Sequence, residues 1–110
     1  MNMKFQKTFK KKTIKKYKSG YRIENKLVNF LKEKKGATAF RSAGSRSPVD
    51  VVCIDFKDSE VHLFQIKKTN TNNWDKKEEN AFMGLPKILG VWKHFWVWSR
   101  GDWIYQNNED

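Results

Sequence analysis

The sequence predicts an α/β fold, a mixed central β-sheet flanked by helices, with its elements in the order α-β-β-β-α-β-β. Apolar residues at helical spacing predict helices near residues 21–35 and 74–90. Short runs rich in β-branched and aromatic residues, each bounded by turn residues, predict the strands. The predicted strands are residues 38–42, 49–56, 61–67, 92–99 and 103–106. A chain of 110 residues has room for one such domain.

The first helix is amphipathic, with an apolar face and a charged face. The apolar face comprises Ile23, Leu27, Val28, Phe30 and Leu31. Ser19 is the predicted N-cap, and Gly36, which follows Lys34 and Lys35, is predicted to end the helix. In the second predicted strand, residues 51–54 are all apolar, so this strand is expected to be central and covered on both faces.

The second helix follows a polar segment, residues 70–73, which is predicted to cap it. The helix is expected to begin near residues 74–75 and to end near Gly90. Pro86 must break or kink it, because proline removes a backbone hydrogen bond and clashes with the preceding turn. The last two strands are predicted to form a hairpin that turns at residues 100–102.

Positive charge is concentrated at the amino terminus. Residues 1–19 are predicted to form a flexible basic arm on a folded domain of residues 20–110. The arm has eight lysines and no acid, which leaves only +3 of the net charge of +11 for the domain. This distribution is typical of proteins that bind a polyanion. A solubilising or localising tail is the alternative, whereas an anionic membrane fits less well because the arm lacks a wide apolar face.

Cysteine content and hydropathy bear on location. The single cysteine, Cys53, lies in an apolar run and is predicted to be buried, and one cysteine forms no disulfide within the chain. No apolar stretch resembles a signal peptide or a membrane span. The expected location is therefore intracellular, in the cytoplasm or nucleoid, with no membrane association.

The most informative feature is the hairpin predicted for residues 49–67. Gln65 and Lys67 project from the same strand face, because side chains alternate along a strand. Antiparallel pairing returns Asp50 to their side. A carboxylate and an amide oxygen suit a hard divalent cation, and a neighbouring lysine suits a phosphate or a water, so this set predicts a metal-dependent nuclease. An ordinary half-exposed hairpin is the alternative interpretation.

Two further features support this hypothesis. Glu24 lies within the apolar stripe of the first helix, where a carboxylate must be paired, hydrogen-bonded or bound to a metal. The alternative for Glu24 is a salt bridge at the edge of the core, for instance with Lys67. The segment that leads to Asp50 is rich in small residues and contains Arg41 and Arg46, which are suited to holding phosphate oxygens.

Four short motifs follow one another in chain order: Gly20-Tyr21-Arg22-Ile23-Glu24, Arg41-Ser42-Ala43-Gly44-Ser45, Val49-Asp50 and Gln65-Ile66-Lys67. In order and spacing they resemble those of the archaeal Holliday junction resolvases in the PD-(D/E)xK nuclease superfamily. The resemblance covers residues 20 to 105. It implies a restriction-endonuclease-like fold and a Mg²⁺-dependent endodeoxyribonuclease, for which Mn²⁺ can substitute. It also implies a homodimer that cuts opposite strands of a four-way DNA junction.

The resemblance assigns roles to matching positions. Asp50 would be the central metal ligand, Gln65 would take the place of an acidic ligand, and Glu24 would be a further ligand or support one. Lys67 would position or activate the attacking water and stabilise charge on the phosphate. Arg41 would contact the backbone phosphate.

The remaining assignments lie in the basic segments. Ser45 would belong to a flexible catalytic loop, and Arg46 is predicted to bind DNA beside it. The arm lysines predicted to contact DNA are Lys10, Lys11, Lys12, Lys15 and Lys16.

The chain departs from the resolvase pattern at two positions. Gln65 replaces an acid, so it can ligate a metal but adds no negative charge, and Asn25 stands where the family often has arginine. These departures leave two alternatives open: a catalytically silent nucleic-acid-binding module of the same fold, or a nuclease that acts on linear or flapped DNA.

Histidine and tryptophan residues are assigned structural roles. His62 is predicted to lie on the strand face opposite Gln65, and His94 is predicted to be a satisfied structural residue rather than a metal ligand. Trp96 and Trp98 share a strand face and are predicted to contribute to a dimer interface, since such a surface left exposed would favour aggregation. Stacking of tryptophan on unpaired bases is the alternative.

Overall fold

The computed structural model describes residues 19–42 and 47–110, with side chains from Arg22 onward. The predicted arm lysines, together with Ser45 and Arg46, lie outside the described residues. The helices are α1 (Ser19–Lys35) and α2 (Lys76–Met83). The strands are β1 (Thr38–Arg41), β2 (Val51–Asp55), β3 (Glu60–Thr69), β4 (Val91–Ser99) and β5 (Asp102–Asn108). The predicted α/β class, a mixed sheet flanked by helices, is confirmed.

The five strands form one sheet in the order β1-β2-β3-β4-β5. Neighbouring strands are antiparallel except for β3 and β4, which are parallel. Parallel neighbours need a crossover, and the segment containing α2 supplies it. The β4–β5 hairpin turns at Arg100 and Gly101, whose φ angles of 53° and 91° are those of a tight primed turn.

A helix covers each face of the sheet. On one face, α1 packs through its buried apolar residues against β1, β2 and β3. Its core comprises Leu27, Val28, Leu31, Ala39, Val51, Cys53, Phe64 and Trp96. On the other face, Phe82 of α2 packs on Phe95 and Val97 of β4. Because strand side chains alternate, consecutive β4 residues such as Phe95 and Trp96 enter opposite cores.

The helix boundaries differ from the predicted ones. Ser19 is the first residue of α1 rather than its N-cap. The N-cap of α2 is Asp75, whose carboxylate accepts hydrogen bonds from the amides of Lys77 and Glu78, so the cap is not provided by residues 70–73. The helix stops at Met83, well before Gly90, because proline at position 86 disfavours helical backbone at the preceding residue.

The two tryptophans predicted for a dimer interface belong to the core. Trp96 is fully buried and Trp98 is only 6% exposed. Trp103 of β5 packs edge-on against both, with ring centroids 5.3 Å and 4.9 Å away. The interface prediction for this pair is therefore wrong, because β5 and α1 cover the face that the alternation pattern left open. Among the described residues, neither helix is long and apolar enough to cross a bilayer.

Candidate active site

Asp50 is held by main-chain hydrogen bonds just before β2. Its amide donates to the carbonyl oxygen of Phe64 at 2.7 Å, and its own carbonyl oxygen accepts from the amide of Ser42 at 2.9 Å. One carboxylate oxygen, Oδ2, accepts from the amide of Ile66 at 2.7 Å. These three bonds fix Asp50 between the end of β1 and the middle of β3, as the hairpin prediction required.

Gln65 lies beside Asp50 with an unused acceptor. Its side chain is only 6% exposed, and its Nε2 donates to Glu78 Oε2 at 3.1 Å. Its carbonyl oxygen, Oε1, is buried and has no hydrogen-bond partner among the described residues. Buried polar atoms are normally satisfied by protein groups, ordered water or a bound ion, so this oxygen is an acceptor open to a water molecule or an ion.

Glu78, on the first turn of α2, is a site residue that sequence reasoning missed. Its Oε2 lies 2.6 Å from the ammonium group of Lys67 and also accepts from Gln65. The local pattern Asp75-x-x-Glu78 is visible in the sequence, but it indicates only the start of a helix. Nothing local shows that the crossover returns this start to the face of β3 that carries Gln65 and Lys67.

The electrostatics of the site favour a bound cation. Burial raises the pKa of Asp50 from 3.8 to about 6. The negative charges of Glu24 and Glu78 contribute to this net rise in the pKa, whereas the hydrogen bond from the Ile66 amide and the charge of Lys67 oppose it. A positive charge placed beside Asp50 would therefore favour its ionised form.

Glu24 and Arg41 pair with each other at the edge of the site. Arg41 Nε donates to Glu24 Oε1 at 2.9 Å, and the two side chains are partly exposed. The predicted alternative for Glu24, a salt bridge at the edge of the core, is thus formed, but its partner is Arg41 rather than Lys67, which pairs with Glu78. Arg41 therefore stands next to the site with its guanidinium already oriented by a carboxylate.

The neighbouring residue Glu79 anchors α2 to the rest of the domain. Its buried carboxylate accepts hydrogen bonds from Trp74 Nε1 at 2.9 Å, Tyr105 Oη at 2.6 Å and Asn107 Nδ2 at 2.7 Å. Burial alone would raise the pKa of Glu79, but these hydrogen bonds outweigh it and the pKa is lowered. The anchor faces β5 and leaves Glu78, one residue earlier, facing β3.

A cavity of about 350 Å³ opens beside Gln65 and Glu78. Its other walls are mainly apolar and come from Ser47, Pro48, Ala81, Phe82 and Leu85. The cavity therefore provides open space beside the side chains of Gln65 and Glu78.

A second acidic cluster lies at the opposite end of the β2–β3 hairpin. The ligating oxygens of Asp55, Asp58 and Glu60 lie within 4.8 Å of one another, a spacing at which they could hold a metal ion. Since β2 spans five residues, this cluster is about 16 Å from Asp50 along the strand. The two groups of acids are therefore separate sites.

Models of known protein families give no match to the sequence, and no curated protein is significantly similar to it. The function of the site is therefore argued from its own geometry. The structure brings Asp50, Gln65 and Lys67 together on one face of the sheet and adds Glu78 from α2. It ties Glu24 to Arg41 nearby.

Proposed function

We propose that this protein is a metal-dependent DNA endonuclease that acts on branched DNA, as the Holliday junction resolvases it resembles do. The observation that carries the proposal is the buried, unsatisfied Gln65 Oε1 beside Asp50, Glu78 and Lys67. Structural polar groups normally find partners in the folded chain. An oxygen left without one among two acids and a lysine is suited to a ligand that arrives from outside.

The residues present fit a hard divalent cation. Asp50 and Glu78 provide carboxylate oxygens, and Gln65 provides a neutral amide oxygen, which are the donors that Mg²⁺ and Mn²⁺ prefer. When bound, such an ion neutralises charge on a phosphate and lowers the pKa of a water molecule. Glu24, which raises the pKa of Asp50, adds negative potential from the side of α1.

Glu78 compensates for the neutral residue at position 65. A site with Gln65 and Asp50 alone would have a single negative charge, which is weak for a divalent cation. The Glu78 carboxylate restores the second charge within hydrogen-bond distance of Gln65. The acid that the resolvase pattern places on the strand is thereby supplied from the helix.

Lys67 is the phosphate-facing cation of the proposed site. Its ammonium group now contacts Glu78 Oε2. If Glu78 held a metal ion, Lys67 would lose part of this contact and would be available to a phosphate oxygen. Its role is then to hold the scissile phosphate and stabilise the charge that develops there.

DNA is the proposed substrate because of the charge distribution. The net charge is +11 and the arm carries most of it. In the described residues, the last turn of α1 adds Lys32, Lys34 and Lys35. Positive charge on the same chain attracts the phosphate backbone and offsets its repulsion by the acids of the proposed site. A homodimer with two such sites would cut both strands of a four-way junction.

The test is cleavage of a labelled four-way junction beside linear duplex of the same sequence, with and without Mg²⁺. The native chain is expected to make paired, Mg²⁺-dependent nicks in the junction, and Asp50→Asn and Lys67→Ala are expected to abolish them. Glu33→Gln removes an exposed acid of α1 and should cleave normally. Equal cleavage by Asp50→Asn and the native chain would overturn the proposal.

A silent nucleic-acid-binding module is the second candidate, and Gln65 is the observation that favours it. The loss of a charged ligand is what an abandoned catalytic site would show. Tight junction binding without any cut in Mg²⁺ or Mn²⁺ would establish this alternative. Cleavage of linear or flapped DNA but not of junctions would support a nuclease with the same chemistry and a different DNA substrate.

A further inference from the structure

The face of the sheet that carries α2 is covered only in part. Because α2 has eight residues, it packs mainly on β4. The all-apolar run of β2 predicts cover on both faces, yet its buried residues are Val51 and Cys53, which face α1. The apolar side chains of β1, β2 and β3 that alternate to the other face keep part of their surface exposed: Phe40, Val52, Ile54, Val61 and Leu63.

The loop between α2 and β4 extends this apolar surface. Leu85, Ile88 and Leu89 are 46%, 60% and 98% exposed. The carbonyl oxygen of Leu85 accepts a hydrogen bond from Lys93 Nζ at 3.0 Å. The carbonyl oxygen of Ile88 accepts one from the amide of Val91, also at 3.0 Å. The loop is therefore anchored with its aliphatic side chains at the surface.

A small cavity lies between this loop and the sheet. Its volume is about 80 Å³, and its walls are chiefly Leu63, Phe82, Leu85, Pro86, Ile88 and Val91. An apolar cavity of about 150 Å³ holds a benzene molecule, so this one suits a single aliphatic side chain. The surface thus has both a projecting leucine, Leu89, and an apolar cavity.

We propose that this surface binds a second copy of the chain about a two-fold axis, with Leu89 of each copy in the cavity of the other. A two-fold interface uses the same patch on both subunits, so the patch must be complementary to itself. A projecting leucine beside a cavity of aliphatic size meets this requirement. The surface gives a location to the homodimer of the proposed function, and its argument does not depend on catalysis.

The basic arm is the alternative occupant from within the chain, and charge argues against it. Eight of its 19 residues are lysines. The walls of the cavity and the loop contain no acidic residue that could pair with them. The one charged residue of the loop, Lys87, would repel the arm. A second copy instead brings an equally apolar surface.

The extent of the surface is consistent with the centre of a dimer interface. Four strands about 4.8 Å apart and two rows of side chains about 6.8 Å apart give about 250 Å² of sheet. The loop adds three exposed aliphatic side chains. Small specific interfaces bury about 600 Å² per partner, of which an apolar centre is one part and a polar rim the rest.

The interface would adjoin the proposed active site. Leu63 and Gln65 are two residues apart on the same face of β3, which separates them by about 7 Å. Leu85 lines both this cavity and the larger one beside Gln65 and Glu78. A second copy on this surface would therefore lie next to the larger cavity.

The test is sedimentation equilibrium of the full chain without DNA or metal. The native chain is expected to be a dimer, and Leu89→Asp should raise its dissociation constant at least about tenfold, because a carboxylate would enter an apolar cavity. Leu89 is 98% exposed, so this variant should fold. Ile104→Asp, at a 40% exposed residue of β5, is the matched control and should leave the dimer intact.

Three results would overturn the proposal. The first is a native dimer that Leu89→Asp does not weaken, and the second is dissociation by Ile104→Asp alone, which would place the interface at the edge of β5. The third is a native monomer. If such a monomer became a dimer on deletion of residues 1–18, the arm would be the occupant.

Isotope-filtered NMR of a dimer with one labelled and one unlabelled copy tests the contact itself. Nuclear Overhauser effects are expected from the Leu89 methyl groups of one copy to Leu63 or Val91 of the other. A dimer without these contacts would contradict the insertion of Leu89. Neither measurement involves DNA, so the outcome is separate from that of the proposed nuclease activity.

Discussion

Glu78 of α2 and Lys67 of β3 form an ion pair in which Oε2 and Nζ are 2.6 Å apart. The two side chains are 36% and 34% exposed, and ion pairs at such positions stabilise a fold by about 1 kcal/mol or less. The ion pair therefore adds little to the stability of the fold, so either side chain can exchange its partner at little cost. This is the property expected of groups that must rearrange when a metal ion and a phosphate bind.

Glu78→Gln is expected to weaken Mg²⁺ binding and to slow junction cleavage at least about tenfold, because the site loses its second negative charge. The free energy of unfolding should change by about 1 kcal/mol or less. Calorimetry and single-turnover cleavage measure the two effects. Glu33→Gln, an exposed glutamate of α1, is the matched control. Cleavage by Glu78→Gln at the native rate would show that Glu78 is not part of the site.

Gln65→Glu is expected to tighten Mg²⁺ binding and to maintain or raise cleavage, because a carboxylate would replace the neutral ligand. The same change placed in the Glu78→Gln background should restore part of the lost affinity, since either position can then provide the charge. Mg²⁺ titration of the single and double variants tests the coupling. A folded Gln65→Glu protein with weaker metal binding would contradict the role assigned to Gln65.

Asp50→Asn is expected to raise the free energy of unfolding of the metal-free protein at neutral pH by up to about 3 kcal/mol. The folded-state pKa of Asp50 is raised from 3.8 to about 6. Its contribution to stability is therefore full below the unfolded pKa and is lost as pH rises through the folded pKa. The asparagine variant has no such dependence.

Urea unfolding at about pH 5 and about pH 7.5 in chelator measures this difference. Groups such as His94, whose pKa is lowered, titrate in both proteins and cancel in the comparison. Asp110→Asn, at an exposed carboxylate, is the control and should show no pH-dependent gain. If the difference in the free energy of unfolding between Asp50→Asn and the native protein does not grow with pH, the folded state does not disfavour the ionised form of Asp50.

Glu79→Ala is expected to destabilise the domain by about 2–4 kcal/mol, because it leaves three buried or half-buried donors without their acceptor. Glu78→Ala, one residue away and half-exposed, should cost about 1 kcal/mol or less. Denaturant unfolding of the two variants compares them directly. Equal losses would mean that Glu79 does not anchor α2.

Deletion of residues 1–18 is expected to weaken DNA binding and to flatten its salt dependence while leaving the fold intact. Each phosphate contact that is lost should reduce the slope of log K against log salt by about 0.9. A chain in which Lys10, Lys11, Lys12, Lys15 and Lys16 are changed to glutamine keeps the length and tests charge alone. An unchanged slope would show that the arm does not contact the backbone.

The local sequence pattern was enough to predict the features that depend on the alternation of side chains along a strand. Gln65 and Lys67 share one face while Ile66 enters the α1 core, because side chains alternate in any strand. His62 is on the opposite face, as predicted, for the same reason. The position of Asp50 beside β3 followed from antiparallel pairing of neighbouring strands, which needs only a short turn between them.

Contacts between elements distant in sequence depended on the tertiary structure. The crossover brings Glu78 to Lys67, β1 brings Arg41 to Glu24, and parallel pairing brings His94 to His62. The burial of Trp96 and Trp98 has the same origin, since β5 and α1 cover a face that looks open along the strand alone. Periodicity assigns a residue to a face, but which partner meets that face is decided only when the helices and strands pack.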